Sequence, residues 1–173
     1  MSTTPRVSSG IPGEPAVFRT VLAHQPAVFD AFWKLYGTFW SHGQLDHATK
    51  EVARMRNARK TDCGYCKMVR FSEARKELDE SVVSFIDDGY DEAPLTERQK
   101  LVLRWTDAIL DDPGAPGDGL RKDLREELTD EQVVELSLGV SLFMGFAKVL
   151  ISLGCEPTEM DTTVVPTPDY ALA

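Results

Sequence analysis

Hydrophobic residues recur at helical spacing along almost the whole chain, and no segment alternates convincingly between apolar and polar positions. The pattern predicts an all-α fold of about six to eight helices. Glu14 to Ala23 reads as a short first helix, closed before Pro26. Pro26 to Trp40 reads as a second helix with an aromatic stripe of Phe29, Phe32, Trp33, Tyr36, Phe39 and Trp40. Large aromatics dominate core burial, so the stripe is assigned to the core rather than to a ligand platform. Leu45 to Ala58 follows, with Asp46 as N-cap and Ala48, Val52 and Met55 on one face. Glu51 sits at the edge of that face. Thr61-Asp62 is a cap signal for a fourth helix that starts at Cys63 and runs to about Leu78.

Ser81 to Gly89 predicts another short helix. Thr96-x-x-Gln99 and Thr129-x-x-Gln132 are capping boxes, each opening a helix. Between them lie a loop from Asp111 to Gly117 and an amphipathic stretch from Leu120 to Leu128. The second box opens the most apolar helix of the chain, Val133 to Leu153, closed by Gly154. Its length reaches the membrane-spanning range. Glu135 and Lys148 interrupt it, no interfacial Trp or Tyr flanks it, and three serines lie within it. It is therefore read as a core helix whose all-round apolarity also suits an oligomer interface. The organisation expected is a flexible arm over 1–13, one helical domain over 14–156 and an extended Thr/Pro-rich tail over 157–173.

Composition narrows the function classes. The 173 residues carry a net charge of −9 and no basic tail, which argues against nucleic-acid binding. The first fifteen residues hold no apolar signal core. Three cysteines do not make a disulfide scaffold, so a reducing, cytoplasmic location is expected. In that setting a Cys-x-x-Cys is more often catalytic or metal-binding than structural.

That motif is Cys63-Gly64-Tyr65-Cys66, and its predicted place is a helix start. Cysteines three apart share a face, and Arg70, four residues after Cys66 and seven after Cys63, points the same way. Backbone N–H groups at a helix start and a nearby cation both favour a thiolate. From His47 to Leu78 there are nine Lys/Arg against four Asp/Glu, whereas the rest of the chain has ten against twenty-four. Glu51 either faces the cysteines, where partial burial would suit it to move a proton, or pairs with Arg54, Arg70 or another cation. A zinc site would need Cys155 or the histidines at positions 24, 42 and 47, and none has zinc spacing to the motif. No metal or cofactor is expected. Inert buried thiols are the bland alternative. A thioredoxin fold is set aside, because its motif follows a strand. Cys155 has no partner in sequence.

Glu51, then Cys63 twelve residues on, then Cys66, resembles the Glu…Cys-x-x-Cys signature of the alkylhydroperoxidase D-like branch of the carboxymuconolactone decarboxylase family. The flanks from Phe18 to Leu45 and from Glu135 to Leu153 are similar to that family's lead-in and closing helices. The resemblance implies an all-α AhpD-like fold in homo-oligomers, commonly trimers or hexamers. It implies a dithiol that reduces peroxides or disulfides, re-reduced by a lipoyl-type or thioredoxin-like donor. Cys66 would attack the peroxide, Cys63 would resolve the sulfenic acid, and Glu51 would belong to a proton relay. The chain departs from the family pattern where a His follows the second cysteine by four residues. Here that residue is Arg70, which cannot carry protons but can hold a thiolate or an anionic substrate. Tyr65 stands where some members have a second His. Two other classes are kept beside the antioxidant oxidoreductase: a non-redox binder of an anionic small molecule at Arg70, and a lyase or decarboxylase-like enzyme using Glu51 as base.

Overall fold

A computed structural model describes residues 3–169, so the first two residues of the expected arm and the last four of the expected tail lie outside the described residues. The order of elements is α1 (Phe18–Leu22), α2 (Pro26–His42), α3 (His47–Lys60), α4 (Gly64–Met68), β1 (Val69–Phe71), α5 (Ser72–Arg75) and α6 (Glu80–Ser84). A 3₁₀ turn (Tyr90–Glu92) precedes α7 (Glu97–Asp111), α8 (Asp118–Glu127), α9 (Asp130–Leu153) and β2 (Thr163–Val165). Nine α-helices among the described residues slightly exceed the expectation, because several are single turns. Both capping boxes form: Thr96 and Thr129 accept from the amides of Gln99 and Gln132, whose side chains bond back. Asp46 caps α3 through Thr49 N at 2.6 Å, and Gly154 ends α9 in the left-handed conformation, φ 67°.

The centre of the fold is α3, which packs chiefly on α7 and α9. Every residue from Thr49 to Ala58 is buried, although five of these ten are charged or amide-bearing. Charges at this depth must be paired, and each is met by a different element. Lys50 Nζ lies 2.9 Å from Glu135 of α9. Arg56 makes a two-pronged contact with Asp107 of α7, at 2.6 and 2.8 Å. Arg54 binds Glu51 of its own helix. Polar side chains therefore tie the core helix to its neighbours, while Val52, Ala53 and Met55 fill the apolar space between them.

One end of α9 is clamped to the α2–α3 turn. Glu135 accepts from Gln44 N at 2.7 Å and Leu45 N at 3.0 Å while pairing with Lys50. Gly139 lets Phe39 approach so closely that an added Cβ would lie 2.5 Å from the ring. By length and composition α9 could cross a membrane, with mean hydropathy 1.9 over its apolar window. In this fold one face of it, through Leu136, Val140, Phe143, Ala147 and Leu150, packs into the body. Val134 and Leu138 on the other face stay about 60% exposed.

Three sequence expectations change here. The fourth helix does not reach Leu78: α4 stops at Met68, and Val69 turns extended at φ −86°, ψ 140°. In a continuing helix Cys66 C=O would accept from the amide of residue 70. Instead Arg54 Nη1 takes that carbonyl at 2.9 Å, and Arg54 Nη2 takes Val69 O at 2.5 Å. The chain also holds strands. The segment β1 pairs in parallel with β2, Val69 opposite Thr163 and Phe71 opposite Val165. Three residues are too few to show alternation, and the partner lies more than ninety residues away, so the pattern was invisible to a local reading. The expected arm is likewise held down, with Arg6 N bonded to Leu153 O at 2.9 Å and Gly10 N to Thr20 O at 2.8 Å.

Candidate active site

The dithiol is built by the turn between α3 and α4. Thr61 closes α3 by donating from Oγ1 to Asn57 O at 2.7 Å. Asp62 then adopts φ 54°, a left-handed conformation that Asp tolerates better than most residues. This places Cys63 as N-cap of α4, where its sulfur accepts from Cys66 N at 3.3 Å. The two sulfurs lie 2.7 Å apart, and both cysteines are free and buried. A helix of five residues has little macrodipole, so the local amides carry the effect. The side-chain contact with Cys66 and the amides of Cys66 and Tyr65 pull the Cys63 thiol below its usual value, against burial. Cys66 is pushed up by its side-chain contact with Cys63 and by burial; Arg54 opposes this shift. Within the pair, ionisation is favoured at Cys63 over Cys66.

Cys63 is fully enclosed, whereas Cys66 forms part of the wall of a cavity of about 480 Å³. Aromatic rings dominate that wall: Phe29, Trp33 and Tyr36 from α2, Tyr65 from the motif, and Phe143 and Phe146 from α9. The aromatic stripe of α2 is therefore divided. Phe39 and Trp40 serve the core, while Phe29, Trp33 and Tyr36 face this space. The chain from Val165 to Pro168 completes the wall beyond β2. Tyr36 and Tyr65 are both held above the usual phenol range by burial.

The other expected site residues fall differently. Arg70 does not join the cysteines, because the helix breaks before it. Its guanidinium instead binds Glu80 at 2.7 Å, Lys67 O at 2.7 Å and Val69 O at 2.9 Å. The cation beside the dithiol is Arg54, which sequence spacing offered only as a partner for Glu51. Burial works against its charge, but Glu51 more than compensates through bonds of 2.6 and 2.7 Å, so Arg54 stays firmly protonated. Glu51 is consumed by this contact and does not line the cavity. The basic surroundings expected from the charge count are largely neutralised: Lys60 pairs with Asp111, Lys67 with Asp62, and Lys76 with Glu73.

Sequence reading missed three further neighbours. Glu156, at the end of the expected domain, returns to accept from Gly64 N at 2.5 Å, and its charge opposes ionisation of both thiols. Cys155 packs in the same small apolar cluster as Cys63 and Cys66, and burial raises its thiol. Asn57, a helical turn before the motif, lies in the cavity wall. No group of three or more potential metal ligands occurs among the described residues.

No protein-family model matches the chain. An uncharacterized protein of Mycobacterium tuberculosis, present in two strains, is 27% identical over 113 residues. The match covers 65% of this chain and 39% of that protein's length, so the chain spans well under half of the curated relative. Solved structures are similar across most of the chain. A protein of unknown function from Agrobacterium tumefaciens, a candidate antioxidant defence protein AhpD, superposes with TM-score 0.70 at 18% identity, over 80% of this chain and 96% of that one. The alkylhydroperoxidase AhpD core of an uncharacterized peroxidase-related protein from Ralstonia eutropha gives 0.71 at 21% identity, over 81% and 75%. An uncharacterized peroxidase-related protein from Silicibacter gives 0.69 at 18%, over 80% and 74%. The chain therefore has the mostly helical fold of the AhpD-like, peroxidase-related proteins.

Proposed function

We propose that the protein is a thiol-dependent antioxidant oxidoreductase of the alkylhydroperoxidase type, with Cys66 as the group that meets the peroxide. The observation that carries this reading is the reduced sulfur pair, 2.7 Å apart, with only Cys66 opening onto an aromatic cavity. The opposite directions of the two thiols, Cys63 down and Cys66 up, give the reaction its order. Cys63 thiolate takes the proton from Cys66, and the Cys66 thiolate attacks the terminal oxygen of a hydroperoxide. The O–O bond breaks, Cys66 becomes a sulfenic acid, and the departing alkoxide takes the proton back from Cys63. The restored Cys63 thiolate then attacks the Cys66 sulfur, forming the disulfide and releasing hydroxide. The hydroperoxide is reduced to an alcohol, the two thiols are oxidised, and an external dithiol, lipoyl-type or thioredoxin-like, returns the electrons. Cys63 thus performs the proton transfer that the motif histidine would perform, with Arg54 balancing the charge on Cys66.

Two rival classes lose their anchor residues. An anion site at Arg70 is opposed by the Glu80 carboxylate bound to it. General-base chemistry at Glu51 is opposed by its two bonds to Arg54. The reading includes assembly with further copies of the chain in a trimer or hexamer, since Leu35, Val134 and Leu138 leave an apolar face between α2 and α9. The test is dithiol-driven hydroperoxide consumption. Cys66→Ser is expected to abolish it, and Cys63→Ser, which loses both the base and the resolving thiol, to slow the first attack and then stop after one turnover with a sulfenic acid that a dimedone probe traps. Unchanged consumption in Cys66→Ser would overturn the assignment.

A further inference from the structure

The wall of the cavity is made of two kinds of structure. Most of it belongs to helices packed in the body: Trp33 and Tyr36 of α2, Arg54 of α3, and Phe143 and Phe146 of α9. The remainder, from Val165 to Pro168, is extended chain that continues from β2. Its fastenings are few. The ladder pairs Val69 with Thr163, Arg70 with Val164 and Phe71 with Val165. Beyond the ladder, Thr167 clasps the start of α5: its N–H donates to Ser72 Oγ at 3.1 Å, and its Oγ1 accepts from Glu73 N at 2.9 Å. Pro166 and Pro168 on either side have no N–H to give, so Thr167 supplies the one backbone donor of residues 166–168. Their fixed φ also stiffens the segment, so that it moves as one piece when the clasp is undone. Val164 is 55% exposed, whereas the helical walls are held by the core. The thiols lie behind this arrangement. Cys63 is 0% exposed, and Cys66, at 8%, is reached through the cavity. The strand β1 follows directly on α4, which carries Cys66, and Ser72 follows β1. The extended segment therefore closes on the stretch of chain that bears the accessible thiol.

We propose that residues 163–168 form a strap that gates Cys66, fastened by the clasp of Thr167 on Ser72 and Glu73 and released as a unit to admit groups too large for the closed cavity. With the strap down, the rings and the extended chain enclose about 480 Å³, room for a small molecule. With it released, the side lined by Val165 to Pro168 opens to solvent while α2, α3 and α9 keep their places. Access to the thiol does not depend on what reacts there. The proposal rests on the oxidoreductase reading only for its place in the cycle, where the gate separates two half-reactions. A small oxidant meets Cys66 in the closed cavity, and a dithiol donor carried on a larger molecule requires the open one.

The test is thiol labelling of the full-length reduced protein, read at Cys66 by peptide mass spectrometry. N-ethylmaleimide and a polyethylene glycol maleimide carry the same reactive group, so the ionisation of Cys66 cancels from the ratio of their rates and access remains. Thr167→Val keeps the shape of the side chain and suits extended backbone, but removes the oxygen to which Glu73 N donates. It should raise the rate of the large reagent relative to the small one about fivefold, the effect of about one hydrogen bond. An unchanged ratio in the folded variant would overturn the proposal. A second measurement needs no substitution. Wild type carrying the polyethylene glycol adduct at Cys66 should exchange its amides at Thr163, Val164, Val165 and Thr167 faster than wild type carrying the ethyl adduct, with α2 and α9 unchanged. No faster exchange in the strap, or faster exchange in α2 or α9 instead, would place the entrance elsewhere and overturn the gate even if Thr167→Val failed to fold. Labelling involves no redox step, so a gated Cys66 in a protein that consumes no hydroperoxide would refute the oxidoreductase reading and leave the strap standing. Hydroperoxide consumption with an unchanged labelling ratio would do the reverse.

Discussion

Gly43→Ala tests how the fold is locked. Gly43 has φ −84° and ψ 174°, ordinary extended geometry, so its backbone does not require glycine. The space does. A Cβ at this position would fall on the Glu135 carboxylate and lie 2.7 Å from Lys50 Nζ. The carboxylate cannot stay, and with it go the bonds to Gln44 N and Leu45 N and the pairing with a lysine that is 1% exposed. Breaking a buried ion pair on one side costs about 3–5 kcal/mol, and Lys50 Nζ would keep only the Phe39 and Trp40 carbonyls, with no opposite charge. For a chain of this size that corresponds to a fall of roughly 10 °C in Tm. The check is thermal and urea unfolding of four proteins: wild type, Gly43→Ala, Glu135→Ala and the double variant. Both single substitutions disrupt the same clamp, so the second should cost about 0.5 kcal/mol or less once the first is present. Additive losses, or a Gly43→Ala protein within about 1 kcal/mol of wild type, would show that α9 is not held through Glu135.

Other expectations follow from the same geometry. Glu156→Gln removes a charge that opposes thiol ionisation, so pH-dependent alkylation should show the Cys63 thiol titrating lower than in the wild type. An unchanged or higher titration would remove Glu156 from the site's electrostatics. Glu80 is held below its ordinary value of 4.5, chiefly by its hydrogen bonds to Arg70. Its stabilising contribution is therefore present above pH 4.5 and fades as pH falls through the lower folded value. Glu80→Gln should flatten that acid limb of the stability curve, and a parallel curve would contradict the pairing. Leu138→Lys, on the exposed face of α9, should shift the protein to smaller species in sedimentation without lowering its Tm; an unchanged mass would rule out this face as the contact between copies.

The sequence made the helices legible where the signal was local. Capping boxes at Thr96 and Thr129, the cap at Asp46 and the stop at Gly154 all form where their residue types require. The Cys-x-x-Cys pair was legible for the same reason, since its geometry is set within four residues. What escaped were contacts made by distant partners. Arg70 was placed by extrapolating a helical face, and the extrapolation failed because Arg54 captures the carbonyls that would have continued the helix. The charges of α3 gave no sign that it is the central helix, because α7 and α9 supply partners that no local pattern reveals. Asn57 carried no signal at all; a polar residue becomes conspicuous only when its surroundings are seen to leave it unpaired.

The three-residue ladder between β1 and β2 gives the site a stability of its own. It joins residues whose separation spans more than half the chain, and its strands are unequal: β1 is buried in the core, whereas β2 is mostly exposed and is followed by the Thr167 bonds to Ser72 and to the amide of Glu73. Segments with few buried contacts open well before the whole domain unfolds. The β2 side of the cavity wall is therefore expected to open before the helical body, and amide exchange at Thr163–Val165 should run faster than exchange along α3. Loss of ligand binding on warming would then precede the melting of the helices, so the temperature at which the protein stops working and the temperature at which it unfolds would be two different numbers.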